Sequence, residues 1–340
     1  MQIKRNKDTE SFLSRCRENL GKEELNSYLD HKVSRANERH IQRCLRKAGA
    51  REFGENEQSW PSLFLNTDEW ESTPYHRSIS LKEIHDDHFC YETMRMAGGR
   101  LFSLDSVQPD PDRELNDWMK LRAMDRDFDA AVLFQDDEMW MLDAPSEAVT
   151  NDPAAAKAKG NALTFGLGIG YFVFMALRNP DVKTVTVVEK SEEVLRMFSS
   201  CLLPQFPDRE RITLIHGDAL DYWNPDFLER YDSIYADIWQ SSEDGLFRIS
   251  DLLERYHPAD SKTDFWIEDS CMVSLRTILF LHFEELLYHT KRQVSSEYLP
   301  LMQKTRRYFA KADKPAETSA QLKDFLYDRR TLRNILGETR

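Results

Sequence analysis

Across residues 162 to 237 the apolar positions fall into short, strand-length blocks, each closed by glycine or an acid, with stretches of helical spacing between them. The first block, Leu163 to Phe165, runs through Gly166, Gly168 and Gly170 into Tyr171-Phe-Val-Phe-Met-Ala-Leu177. That order predicts a strand, a tight turn and the opening of a helix. Glycine suits such a corner because the chain there takes unusual φ/ψ values and lets a ligand approach the backbone, beneath the free N–H groups of the new helix. The third glycine comes one residue earlier than in the G-x-G-x-x-G dinucleotide fingerprint, and Tyr171 holds the last place. The corner therefore predicts a nucleotide cradle without specifying the nucleotide.

Three further blocks extend the pattern. Val182-Lys-Thr-Val-Thr-Val-Val-Glu189 ends on a carboxylate 19 residues after Gly170 (189 − 170), where an acid can accept both hydroxyls of a ribose. Arg211 to His216 leads into Gly217-Asp218-Ala219, and Tyr231 to Asp237 again ends in an acid. Strands alternating with amphipathic segments predict an α/β fold with a doubly wound, mostly parallel Rossmann-like sheet, whose carboxyl ends bring these polar residues to one crevice. Past Asp237 the spacing predicts a helix from Asp244 to Tyr256 and a fifth strand from Thr263 to Glu268. Glu268 and Asp269 would then lie on the ligand side, with Asp269 or Ser270 placed to cap the next helix. From Cys271 to Gly337 almost everything has helical spacing, and no sixth or seventh strand is identified.

Upstream, Phe12 to Leu20 and Glu23 to Ala48 predict charged helices, the second stopped by Gly49. Arg35, Arg39, Arg43 and Arg46 fall near one face of it and read as solvated. Short strands are predicted at Trp60 to Leu65, Phe89 to Met94, Arg100 to Leu104, Ala131 to Gln135 and Glu138 to Leu142, with turns at Gly98-Gly99 and Asp136-Asp137 and a helix from Asp112 to Ala123. Ser146 to Gly160 predicts a linker helix that places Asp152 as a cap and Pro153 in its first turn. The expected organisation is a helical region over 1–50, a small β-rich domain over 51–150, the Rossmann-like domain over 151–270 and a helical extension over 271–340.

Composition narrows the partners. A net charge of −13 argues against a large electrostatic contact with nucleic acid or an anionic membrane. No apolar run reaches the roughly 20 residues of a membrane-spanning helix, and Met1-Gln-Ile-Lys-Arg lacks the apolar core of a signal peptide, so a cytoplasmic protein is expected. Cys16, Cys44, Cys90, Cys201 and Cys271 are scattered and odd in number, which suits reduced thiols.

Phe165-Gly-Leu-Gly-Ile-Gly170, Glu189, Gly217-Asp218-Ala219 and Asp237 resemble, in order, the first motif and the second-, third- and fourth-strand acids of class I S-adenosylmethionine-dependent methyltransferases. Val185 to Glu189 with Ser191-Glu-Glu-Val194, and Leu203-Pro-Gln-Phe-Pro207, look most like the spermidine synthase branch. The resemblance implies S-adenosylmethionine as cofactor, with Gly166, Gly168 and Gly170 against its methionyl and ribose portion, Glu189 on the ribose, and Asp218 with Ala219 at the adenine edge. Asp237 would face the methionyl amino group or the incoming nucleophile, as the catalytic residue. Thr150 and Asn151, on the linker helix, would border the cofactor.

The implied activity is methyl transfer to a small molecule, an amine among the candidates, and a homodimer is one arrangement of the helical tail. Aminopropyl or aminocarboxypropyl transfer is the second reading, with Asp237, Glu243, Asp244, Glu268 and Asp269 lining a channel for a cationic amine. Against it, the aminopropyltransferase pattern carries a second acid three residues after the first, and here that position is Gln240, which cannot take a proton at neutral pH. A non-catalytic nucleotide-binding protein is the third. No metal site is expected: His85-Asp-Asp-His88 reads as a surface turn, and His282, Glu285 and His289 as the polar side of an amphipathic helix.

Overall fold

The computed structural model describes residues 1–22, 24–81, 83–312 and 314–339. Helices α1 (Lys7–Asn19) and α2 (Glu38–Ala48) open the chain, and α3 (Pro74–Ser78) precedes an antiparallel sheet. That sheet orders β1 (Ile84–His85), β2 (Phe89–Met96), β3 (Phe128–Gln135) and β4 (Glu138–Leu142) side by side. Asp136 and Asp137 join β3 to β4 with φ of 48° and 65°, the two-residue turn that matches strand twist. Phe64–Leu65, Leu121–Met124 and Phe102–Ser103 form a second, smaller sheet.

Helix α4 (Pro145–Lys157) then leads into the main sheet: β5 (Gly160–Phe165), α5 (Tyr171–Arg178), β6 (Val182–Glu189), β7 (Ile212–His216), β8 (Ser233–Ala236), α6 (Ser242–Arg255) and β9 (Thr263–Phe265). All five strands are parallel, in the order β7-β6-β5-β8-β9. Phe165 sits in register with Val188 on one side and Ala236 on the other, so the order reverses where β5 meets the glycine corner. A crevice opens at such a switch point because successive crossovers leave on opposite faces.

Helices α7 (Glu268–Tyr288), α8 (Leu299–Ala310), α9 (Ser319–Tyr327) and α10 (Arg329–Leu336) follow. They occupy the end of the chain where a sixth and seventh strand would come, and the main sheet has five strands among the described residues. Their apolar sides share one core with α1 and one face of the sheet, in which fully buried Trp223 packs its ring against Phe165 and Phe265. A second core, built from α4, α5 and the other face, includes Tyr75 and Tyr91 from the N-terminal half. No helix among the described residues is long and apolar enough to cross a membrane.

Three expectations change. The helix predicted from Glu23 to Ala48 is broken: Glu23 lies outside the described residues, Glu24–Tyr28 is one 3-10 turn, Asp30 takes φ 62°, and α2 starts only at Glu38 before Gly49 ends it with φ 108°. Its arginines bind their own chain, Arg43 to Glu57 and Arg39 and Arg46 to the carbonyls of Glu57 and Phe53. The helix predicted from Asp112 to Ala123 is irregular backbone ending in strand Leu121–Met124, since Arg122 is drawn to Glu52 and Leu121 and Ala123 are buried.

The fifth strand stops at Phe265, because Ile267 turns left-handed (φ 44°) and starts α7. Glu268 therefore faces the helical extension, where Arg333, with no exposed surface, grips it at 2.6 and 2.8 Å and Arg329 adds a third contact. Both arginines also donate to the carbonyl of Thr263 on β9. Ser270 accepts from the Val107 N–H, and neither it nor Asp269 caps α7 through its side chain.

A buried charge stripped of its partner costs several kcal/mol. Glu268→Ala is expected to lower stability by roughly 1–3 kcal/mol in urea unfolding, since the Arg333 guanidinium loses two charge-assisted bonds and keeps Asp260 at 3.0 Å as its counter-ion. Unchanged stability would show that this ion pair does not hold the extension to the sheet.

Candidate functional site

Gly166, Gly168 and Gly170 take φ of 92°, 50° and 76°, a left-handed run that side chains rarely adopt. Local crowding differs among them. A Cβ on Gly166 would lie 2.0 Å from the backbone oxygen of Asp237, whereas on Gly168 it would meet the Met141 sulfur at 2.5 Å and on Gly170 the Phe198 ring at 2.5 Å. Gly166 thus lets β5 and β8 close together, and the other two let side chains lean on the corner. Carbonyls turned outward by this geometry need donors. Tyr91 on β2 donates to Gly168 O at 3.0 Å and Tyr75 on α3 to Ile169 O at 2.7 Å. Burial pushes both phenols up from their ordinary range, so each keeps its proton to donate.

Glu189, Asp218, Ala219 and Asp237 line one cleft of about 450 Å³ with Gly166 and Gly168, whereas Gly170, expected there too, sits beneath the Phe198 and Phe206 rings and is not among the lining residues. Glu189 accepts from the N–H groups of Leu167 at 3.0 Å and Ser191 at 2.7 Å, which aims its carboxylate and leaves lone pairs free. Burial raises its pKa, and those N–H bonds oppose the rise. Asp218 caps the short helix Ala219–Tyr222 through Leu220 N–H at 2.9 Å and pairs with Lys190 at 2.9 Å, which together hold its pKa down. Asp237 is different: its carboxyl has no hydrogen-bond or ion-pair partner among the described residues, and burial, then Glu147, pushes its pKa well above the carboxylate range.

Glu147 and Asp143, neither expected from sequence, complete the acid set in the same cleft. Glu147 comes from the first turn of α4, which begins at Pro145, one residue before the predicted Ser146, so that Asp152 and Pro153 lie inside the helix and not at its cap. It too lacks a side-chain partner among the described residues, and burial, then Asp143, pushes it up to about 7. Asp143 is held by His76 Nε2 at 2.8 Å. Of the five acids expected to line an amine channel, Asp237 is in the cleft and Glu243, Asp244, Glu268 and Asp269 are not among its lining residues. Trp140, Trp239, Trp266, Tyr235 and Met141 wall it, and Gln240 reaches its edge.

Asn151 lines the cleft and accepts from the Tyr235 hydroxyl, while Thr150 holds the Trp266 indole N–H at 2.9 Å. A proline before an acid at a helix start was the available sign of Glu147, and it reads equally as ordinary favourable charge at a helix N-terminus.

Away from the acids of the cleft, Asp86 pairs with Arg196 and His88 with Asp136, while His85 gathers with Cys90 and Glu92. His282 bonds Glu285, which Arg306 also holds, and His289 lies beyond the end of α7 with φ 52°.

No family model matches the chain. Putrescine N-methyltransferase 2 of Nicotiana attenuata and its namesake of Nicotiana tabacum are each 34% identical over 96 residues, 27% of this chain. The chain matches about a quarter of those relatives' length, 24% and 26%. Among solved structures, a spermidine synthase from Thermotoga maritima overlaps 47% of this chain and 65% of its own, at 15% identity and a TM-score of 0.31. An O-methyltransferase from Bacillus cereus bound to SAH overlaps 34% and 53%, at 19% identity and a TM-score of 0.26. Structural likenesses this limited carry no argument about activity. The fold rests on the strand order itself, which is that of a doubly wound, Rossmann-like sheet of five parallel strands.

The two inner glycines are expected to respond unequally to alanine. Gly168→Ala costs about 1–2 kcal/mol for a left-handed alanine, because Met141 can swing aside. Gly166→Ala costs more, because the β8 backbone has to move. Equal losses in urea midpoints would contradict this picture of the corner.

Proposed function

We propose that the protein is an S-adenosylmethionine-dependent methyltransferase acting on a small-molecule amine. The observation that carries this is convergence: the glycine corner, Glu189, Asp218 and the partnerless carboxyl of Asp237 open onto one cleft at the switch point of the sheet. The residues fit the cofactor. A preoriented carboxylate with free lone pairs suits a ribose diol, and Gly166 and Gly168 present backbone to the same cleft. Gly166 and Gly168 would contact the methionyl and ribose portion through backbone, Glu189 the ribose hydroxyls, and Asp218 with Ala219 the adenine edge.

Bound there, S-adenosylmethionine supplies an electrophilic methyl group on a sulfur that leaves readily. The chain's task is then mainly alignment and exclusion of water. Asp237 holds a positive amine beside the methyl group, and the indole and phenol walls of the cleft favour cations over neutral acceptors. The local match to putrescine N-methyltransferases supports an amine acceptor. Aminopropyl transfer remains the competing chemistry, opposed by Gln240 at the position of the second acid.

Calorimetric titration with S-adenosylmethionine, its decarboxylated form and NAD, followed by mass spectrometry of products from candidate amines, tests the reading. Binding of S-adenosylmethionine and a gain of one methyl group are expected. Glu189→Gln is expected to weaken binding roughly 10- to 100-fold, the value of a charge-assisted hydrogen bond of about 1.5–3 kcal/mol. A product that gains an aminopropyl group would select the competing chemistry, heat with NAD alone would overturn the cofactor, and no heat with any would leave a non-catalytic protein.

A further inference from the structure

An aliphatic amine at neutral pH has no lone pair to attack with, since its pKa is near that of lysine, about 10.4. It enters as an ammonium and has to lose a proton before it can be methylated. The loop after β8 offers Asp237 and then Gln240, so a second base has to come from elsewhere. The cleft holds one. Glu147 descends from α4, the described structure gives its carboxyl no partner, and it is the charged neighbour that acts on Asp237.

Other ionisable groups around the cleft are already engaged. Asp143 is bound to His76 of α3, Tyr171 of α5 to Asp152 and Tyr235 of β8 to Asn151, while Lys190 after β6 pairs with Asp218 and Arg248 of α6 with Asp244. Neither of these two cations is paired with Glu147 or Asp237. Two half-buried acids without counter-ions among the described residues, inside aromatic walls, form a cation site whose charge has to arrive with the ligand.

We propose that Glu147, on an element outside the strand-end motifs, is the proton acceptor of the reaction: with Asp237 it holds the acceptor ammonium and takes the N–H proton. The assignment rests on the methyl-transfer reading. The N–H bond breaks with its electron pair left on nitrogen and the proton moved to a Glu147 carboxylate oxygen. Nitrogen then bonds to the methyl carbon as the carbon–sulfur bond breaks and its pair stays on sulfur, which becomes a neutral thioether. The product departs as a methylated ammonium, and Glu147 returns its proton to water.

The empty site has a thermodynamic signature. With Glu147 raised to about 7 from an ordinary 4.5, the folded chain keeps a proton that the unfolded chain loses between those values. Stability therefore falls as pH rises through that window and recovers on acidification. An incoming ammonium displaces the same proton.

Glu147→Gln keeps the shape, removes a desolvated charge and folds. Titration of putrescine and related aliphatic amines into the protein saturated with S-adenosylhomocysteine, in buffers of different ionisation enthalpy, counts the protons released. At about pH 6 the release is expected to be smaller by about one proton per site in Glu147→Gln, where Asp237 is left to give up its own. The fall in stability between about pH 5 and 8 should flatten in the variant, and kcat/KM should drop roughly 10²- to 10⁴-fold and lose its rise near pH 7. Cofactor binding with an unchanged proton count in the variant would overturn the role of Glu147 and leave methyl transfer standing. Absence of cofactor heat would remove both.

Discussion

The corner after β5 has to satisfy its own carbonyls, and much of the molecule is arranged to do so. Three left-handed glycines within five residues turn peptide oxygens away from the helix they introduce, and an unpaired buried oxygen costs about 1–3 kcal/mol. The donors come from distant parts of the chain: Tyr75 and Tyr91 lie 94 and 77 residues before the oxygens they meet. Helix α3 and the small antiparallel sheet therefore support the glycine corner. Tyr75, packed from α3 against Tyr171 and Phe174 of α5, and Tyr91, from β2, fix that loop with their buried phenols.

The same arrangement explains the acids. Glu189 and Asp218 spend part of their valence on backbone N–H groups and, for Asp218, on Lys190, so their orientations are set before a ligand arrives. Asp237 and Glu147 are aimed into the cleft with nothing to neutralise them. A fold tolerates such a pair at a cost to its own stability, and that expense is usual where a site is built for charge brought from outside.

The parallel sheet could be read from sequence because β-branched runs, the glycine triplet and the strand-end acids are local signals. Parallelism followed from the alternation of elements, and each of the four strands around Gly166–Asp237 fell within three residues of its predicted span. What escaped was non-local. Arg122 pulls residues 112–123 out of a helix through Glu52, some 70 positions away. Glu268 looked like a strand-end acid until Ile267 turned the chain and Arg333 claimed it from near the C-terminus. Glu147 carries no motif at all, and only the packing of α4 against α5 brings it to the crevice.

The two guanidinium groups on Thr263 have one more effect. A doubly wound sheet that stops at a short fifth strand presents an open row of peptide groups to any neighbouring extended chain. Here α10 reaches over that margin and occupies its acceptor with Arg329 and Arg333, each tied to Glu268. At Thr263 the border of the sheet is thereby quenched by side chains instead of a further strand, which takes that acceptor away from any β-pairing between copies of this protein.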